Sequence, residues 1–427
     1  MSSSWFGKLT GEKEKHSSKL RWMERNWDTI VCLIGIFIIA LTIRAYFAYD
    51  IATKFGTPYL LGGGSDSHYN ARIINYILQN KEHLGTDPLR GYPLPGKPNV
   101  RPPLYQWSIV LGGHLLAPFV GNLDKGVQLS FILSSGFWGA LTIFPVYLIG
   151  KETFGKKAGI AGAFLLAISA GHLERGVITN TNHDALSLFL VVTAFFFFMR
   201  SLEELSGDRK WVSNWAKLNK IKKGLSEFFG SNKRALLYAA MTGMAIGTVA
   251  LTWKGYAYAV VIILVYFLIQ LIIDKFREQD SLGITVAIFI MMMIAFLVIL
   301  PWYGRNGILT KLNIFQGSLG RYYQIPLVIF LGAFGVGVYF TVTRDLPWVL
   351  SYSILAIAGV LFFTLGPNVI QSAAGQYFIE NKLYSTIAEA QAPQFSRLVL
   401  AGGIVTFFLS WAGIGLAIWH VMGEWDR

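Results

Sequence analysis

Asn182, His183 and Asp184 stand side by side in the stretch TNTNHDAL, and Arg175 precedes Asn182 by seven residues. An amide oxygen, an imidazole nitrogen and a carboxylate in one short run form a donor set acceptable to Mg²⁺ or Mn²⁺, which bind chiefly through oxygen. Asp66, in GGGSDSHYNAR, is a second candidate. Three glycines let the backbone bend tightly before this acid, and DSHYNARIINYILQN after it repeats with a helical period that places Arg72 nearly two turns on. Glu389, in STIAEAQAPQF, is a third candidate. Each has a plainer explanation. Asp66 and Asp184 both precede helical patterns and could act as helix caps. A histidine beside an aspartate is often only polar loop, and loop glutamates commonly have no special task. None of the three segments is specific by itself.

The elements that must position these residues are membrane helices. Of 427 residues, 53% are hydrophobic and 14% charged, with a mean hydropathy of +0.47. A soluble domain carries roughly 25% charged residues. Several apolar runs approach or exceed the ~20 residues that cross a bilayer core. The expected fold is therefore an all-α polytopic membrane protein of about ten spans, at residues 29–49, 127–149, 158–172, 185–203, 235–252, 256–273, 283–303, 325–342, 347–366 and 398–421. The polar N-terminal stretch 1–28 does not resemble a cleavable signal. Cys32, the lone cysteine, excludes a disulfide framework and a cysteine-based metal site.

Charge then sets the orientation. With residues 1–28 in the cytoplasm, about 22 of the 37 Lys and Arg residues fall in inside loops, at a density well above that of the outside loops. The basic loop RKWVSNWAKLNKIKKG is read as a cytoplasmic membrane-surface segment, and the net charge of +13 does not imply nucleic acid. The apolar stretch WSIVLGGHLLAPFVG (107–121) is short and holds Gly112, Gly113, His114 and Pro118, so a helix at the outer interface is expected there. Two outside loops are long, about 50–126 and about 367–397, and loops of that length usually carry function. Asp66, Asp184 and Glu389 all fall on the outer face.

Taken together, these segments resemble the catalytic subunit of oligosaccharyltransferase. This GT-C type membrane glycosyltransferase moves an oligosaccharide from a polyprenyl (dolichyl) phosphate or diphosphate carrier onto the asparagine of N-x-Ser/Thr sequons. GGGSDSHYNARIINYIL resembles the family's first acidic motif, and DPLRGYPLPGKPNVRPPLYQW is similar to the segment that follows it. ERGVITNTNHDALSLF resembles the second motif, an Arg followed by an acidic pair separated by one residue. STIAE (385–389) matches the T-I-x-E motif of the family's large mobile external loop, here 367–397, and TWKGYAY (252–258) matches a tight external turn. The wording of the first loop is closest to archaeal members, which implies a plasma membrane location with the active site outside.

The resemblance implies roles. Asp66, Asn182, His183 and Asp184 would hold Mn²⁺ or Mg²⁺, which stabilises charge on the leaving phosphate. Asp66 and Glu389 would orient the acceptor carboxamide, with inversion at the anomeric carbon. Arg72 and Arg175 would assist the phosphate or hold the acidic side chains. The implied partners are lipid-linked oligosaccharide, a sequon-bearing polypeptide and membrane lipid, without nucleic acid. Two departures stand out. Asn182 occupies the place of an expected acid, and the family's W-W-D-Y-G motif, in a C-terminal domain after further spans, is not found up to Arg427. A separate C-terminal fragment is one expectation that follows, and a non-catalytic remnant is the main alternative. Another polyprenyl-phosphate-sugar transferase would lack the STIAE loop. A secondary transporter would carry charges within its spans and show internal repeats.

Overall fold

The computed structural model describes residues 26–46, 48, 64–90, 92–94, 96–205, 210–303, 320–365, 395, 396, 399 and 403–425. The chain divides into two compact units. One comprises Met1–Gly62, Ile132–Asn180 and Ser396–Arg427, and the other Gly63–Phe131 and Thr181–Phe395.

The first unit contains helices α1 (Asn26–Tyr46), α5 (Ile143–Phe154), α6 (Lys156–Ile168), α7 (Ala170–Gly176) and α15 (Ile404–Trp425), with part of α4 (Leu123–Leu141). Leu33, Ile36 and Ala40 of α1 pack with Ile143 and Tyr147 of α5 and with Ala163 and Ala167 of α6. The span expected at 158–172 is broken. α6 is 13 residues long and ends where Ser169 turns extended, at φ −64° and ψ 124°, before α7 restarts the helix. An extended residue cannot pass on the i→i−4 hydrogen bonds, so the apolar run is divided there.

The second unit contains α2 (Gly64–Asn80), α3 (Leu104–Val120), α8 (Asp184–Glu203), α9 (Leu218–Ser231), α10 (Lys233–Thr252), α11 (Ala257–Phe276), α12 (Leu282–Tyr303), α13 (Gly320–Val342) and α14 (Trp348–Leu365). At its centre α10 packs against α8 and α12. The α10–α12 contact is close because α10 presents glycine. A Cβ at Gly243 would lie 2.2 Å from the Met291 carbonyl oxygen, and one at Gly247 would lie 2.6 Å from Val298 Cβ. Small residues at such crossings bring backbones near enough for dispersion to hold helices together where hydrocarbon solvent gives no hydrophobic drive.

Among the described residues, seven helices or helix pairs are long and apolar enough to cross a membrane. The other three expected spans correspond to α6, α14 and α15, of 13, 18 and 22 residues. The stretch 107–121 forms most of α3, a 17-residue helix. The described part of the long segment 50–126 holds α2, α3, the first residues of α4 and a two-stranded hairpin. Antiparallel β1 (Thr86–Asp87) and β2 (Lys97–Pro98) pair Thr86 with Pro98 and Asp87 with Lys97.

Candidate functional site

α2 opens on Gly64, whose φ of +65° lies in the region that favours glycine. That glycine turns the chain so that Asp66 falls in the first helical turn, not at the cap itself. There the carboxylate meets the positive end of the helix dipole. Two side chains of the same helix then grip the second motif. Ser67 Oγ and Asn70 Nδ2 both donate to the Thr181 carbonyl, at 3.3 and 3.4 Å. The two motifs, more than a hundred residues apart in sequence, are thereby placed beside each other. Within the second motif, Thr179 adopts φ 81°, a strained conformation for a residue with a side chain.

α8 begins at Asp184, with His183 at its N-cap position, and the Asn182 Oδ1 accepts the His183 N–H at 2.8 Å. The His183 ring lies between two aromatic rings, 6.5 Å from Tyr105 and 6.4 Å from Trp253 between centroids. Its Nε2 is buried with no hydrogen-bond partner among the described residues, and the Asp184 Oδ1 stands 3.8 Å away. Burial pushes the imidazole below its ordinary range, against the opposing pull of Asp184 and of Asp66. A buried polar atom without a partner is costly and asks for an explanation.

Asp66 and His183 line one cleft of about 570 Å³, together with Tyr69, Arg90, Arg101 and Lys254. Arg101 forms an ion pair with Asp66 and lies over the Tyr69 ring, 5.2 Å from its centroid. Its backbone N–H is held by the Asn99 Oδ1 at 3.0 Å, and Asn99 Nδ2 is anchored in turn on the Leu84 carbonyl at 2.9 Å. Lys254 sits on the 3-10 turn Lys254–Tyr256 that joins α10 to α11. The cleft therefore gathers three cationic side chains around a single carboxylate, a balance that suits an anion such as a phosphate. Sequence reasoning named none of the three cations. Arg101 and Lys254 do fall within PNVRPPLYQW and TWKGYAY, and a basic residue in each of two outer segments is the signal that was present.

The remaining expected site residues are placed as follows. Arg72 forms a two-point pair with the buried Asp87, Nη2 to Oδ1 at 2.8 Å and Nε to Oδ2 at 3.2 Å, and so pins α2 to the hairpin. Burial pushes the Asp87 carboxyl up, but the Leu89 amide and Arg72 outweigh it and lower the net value. Arg175 lies on α7 in the first unit. Glu389 and most of 367–397 lie outside the described residues. As a cation site, the donors suit Mn²⁺ or Mg²⁺ in kind, with the carboxylate of Asp66 and the orphaned His183 Nε2 on one cleft and Asn182 and Asp184 flanking. Among the described residues no three such groups are already gathered as a metal cluster, and the charge of Asp66 is met by Arg101.

This is a polytopic helical membrane protein with the fold of the archaeal oligosaccharyltransferases. It superimposes on the apo crystal structure of the Archaeoglobus fulgidus oligosaccharyltransferase with a TM-score of 0.70 at 20% identity, over 94% of this chain and 46% of that one. The A. fulgidus AglB structure in complex with an inhibitory peptide and a dolichol-phosphate gives a TM-score of 0.68 at 20% identity, over 93% and 45%. Residues 34–366 match the family model "Oligosaccharyl transferase STT3, N-terminal", and the chain belongs to that family. It is 25% identical over 363 residues to dolichyl-phosphooligosaccharide-protein glycotransferase 3 of A. fulgidus, covering 81% of this chain and 38% of that protein. To the dolichyl-monophosphooligosaccharide–protein glycotransferase AglB of Haloferax volcanii it is 27% identical over 185 residues, covering 43% and 17%. The chain thus spans less than half the length of these relatives.

Proposed function

We propose that this chain is the membrane part of an oligosaccharyltransferase. It would transfer an oligosaccharide from a dolichyl-type phosphate or diphosphate carrier to the asparagine of N-x-Ser/Thr sequons at the outer face of the plasma membrane. The observation that carries the proposal is the cleft itself, where Asp66 and His183 meet Arg90, Arg101 and Lys254. The reaction needs both kinds of group. The carboxamide nitrogen bonds to the anomeric carbon while that carbon's bond to the phosphate oxygen breaks, and the electron pair leaves with the phosphate. Attack from the opposite face inverts the centre.

The chain's own groups divide this work. Arg101, Arg90 and Lys254 bind the phosphate and meet the charge that grows on it as the bond breaks, a contribution best made by donors already fixed in place. Asp66 accepts a hydrogen bond from the acceptor carboxamide N–H, with Glu389 as the second acceptor. Holding both N–H groups weakens the amide conjugation, whose strength is reflected in the ~18–20 kcal/mol rotational barrier of a related peptide bond. The nitrogen's surplus proton passes to one of these carboxylates. Asp66 and His183, with Asn182 and Asp184, would hold Mn²⁺ or Mg²⁺, which when bound supplies further positive charge to the leaving group. Arg101 would then have to share or release Asp66. The test is glycopeptide formation from a lipid-linked oligosaccharide and a sequon peptide, by an enzyme containing this chain. Transfer is expected for the native sequence and its loss for Glu389→Ala. Native turnover in Glu389→Ala would remove that residue from the site.

A further inference from the structure

We propose that a second crevice on α2 receives sugar rings of the carrier lipid's oligosaccharide, a reading that rests on the transferase role given to the cleft. The crevice, of about 430 Å³, is lined by Arg72, Asn75, Tyr76, Gln79 and Leu84. Helical spacing joins it to the cleft. Ser65 and Tyr69 line the cleft, and Arg72, Tyr76 and Gln79 line the crevice. Successive steps of four, three, four and three residues keep all five on one face of α2. The nearest two, Tyr69 and Arg72, are about 4.5 Å apart along the axis, and Tyr69 to Gln79 spans about 15 Å at a rise of 1.5 Å per residue. A carrier whose phosphate sits in the cleft therefore has the crevice within reach of the first sugars attached to it.

The two sites differ in charge. The cleft sets Arg90, Arg101 and Lys254 against the single carboxylate of Asp66. Around the crevice the charges cancel. Arg72 is paired with Asp87, and the neighbouring Lys81 and Glu82 are of opposite sign. A second phosphate gains little there, and an uncharged ligand gives up nothing. What the crevice offers is hydrogen bonding. Asn75 and Gln79 are both exposed, and each carboxamide presents a donor and an acceptor in one plane. A sugar hydroxyl, itself both donor and acceptor, can use the two together. Tyr76 stands between them, half-buried, with its hydroxyl donating to the Glu82 Oε1 at 2.9 Å. That bond steadies the ring, whose apolar face suits the C–H side of a sugar. The acceptor polypeptide fits less well, because its apolar side chains would find only Leu84, which is 3% exposed.

Binding measured by microscale thermophoresis in detergent tests this, with dolichyl phosphate carrying either a single glucose or a linear chain of four. The two probes have the same charge and the same lipid. The longer one should bind about tenfold more tightly, the order expected of two uncharged hydrogen bonds. Asn75→Ala together with Gln79→Ala should abolish that preference and leave binding of the single-glucose carrier unchanged. Both side chains are exposed, so the thermal melt should not move. Tyr76→Phe, which keeps the ring, should retain more of the preference than Tyr76→Ala. Equal binding of the two carriers by the native chain, or an unchanged preference in the double variant, would overturn the sugar site and leave the cleft reading standing. Binding of neither carrier would overturn both. A double variant that weakened binding of a sequon peptide, and not of the longer carrier, would give the crevice to the polypeptide and overturn the proposal.

Discussion

Arg101 is the residue whose loss separates a structural account of the cleft from a chemical one. Its guanidinium pairs with Asp66, which is 48% exposed, so the pair stabilises the fold by no more than ~0.2–1 kcal/mol. Its position over the Tyr69 ring adds ~0.5–1 kcal/mol. Arg101→Gln should therefore cost about 1–2 kcal/mol of stability, a small change in a thermal melt in detergent. The chemistry asks for more. If Arg101 meets charge developing on the leaving phosphate, its removal should lower the transfer rate by about 10²–10³-fold, far beyond anything a modest loss of stability explains. Two measurements decide the matter: initial rates of glycopeptide formation, and binding of dolichyl phosphate to the chain itself. Arg101→Lys, which keeps the charge without the planar fork, should recover part of both. A folded Arg101→Gln protein that binds the carrier normally and transfers within threefold of the native rate would refute the role given to the cleft cations.

Four other perturbations follow from named contacts. His83 is held near pKa 4 by burial, and its Nε2 stands 3.2 Å from Asn99 Nδ2, an arrangement that requires the neutral ring. A folded value below the unfolded ~6.5 means the unfolded state binds more protons, so this stability is complete above that value and is lost as pH falls toward 4. Thermal melts across that window should show the loss, and His83→Gln should flatten it. Gly243→Ala drives a Cβ onto the Met291 carbonyl and should destabilise the α10–α12 pair by about 1–3 kcal/mol, measured by unfolding in detergent. Arg72→Ala strands the buried Asp87 carboxylate and should cost about 1–3 kcal/mol. It should speed proteolysis of the first loop while dolichyl phosphate binding by the surviving folded protein stays near native. Asn182→Asp should tighten Mn²⁺ binding measured by calorimetry, and an unchanged affinity would count against the second motif as a cation ligand.

Much of the helical framework was legible from sequence because a run of twenty apolar residues has few other fates. The break at Ser169 was not, since nothing in AGAFLLAISAGHLERG marks that one position as the place where the helix is divided. Asp66 and His183 could be singled out from glycine context and donor chemistry. What could not be read was their convergence with Arg90, Arg101 and Lys254, which depends on the hairpin, on Asn99 holding the Arg101 backbone, and on the turn after α10. Arg72 was expected to assist the phosphate or to hold acidic side chains, and the particular carboxylate it holds, Asp87, is one that only the hairpin brings within reach. Pairings across a hundred residues are properties of packing, and the local pattern carries no trace of them.

The cleft between α2, α8 and the turn after α10 is the place proposed for the lipid phosphate. The most direct measurement is an electron cryomicroscopy structure of the chain with dolichyl phosphate bound. Phosphate density is expected in that cleft, within hydrogen-bond reach of Arg101 and at least one of Arg90 and Lys254. Ordered phosphate elsewhere on the molecule, with Arg101 still on Asp66 and the cleft empty, would contradict it.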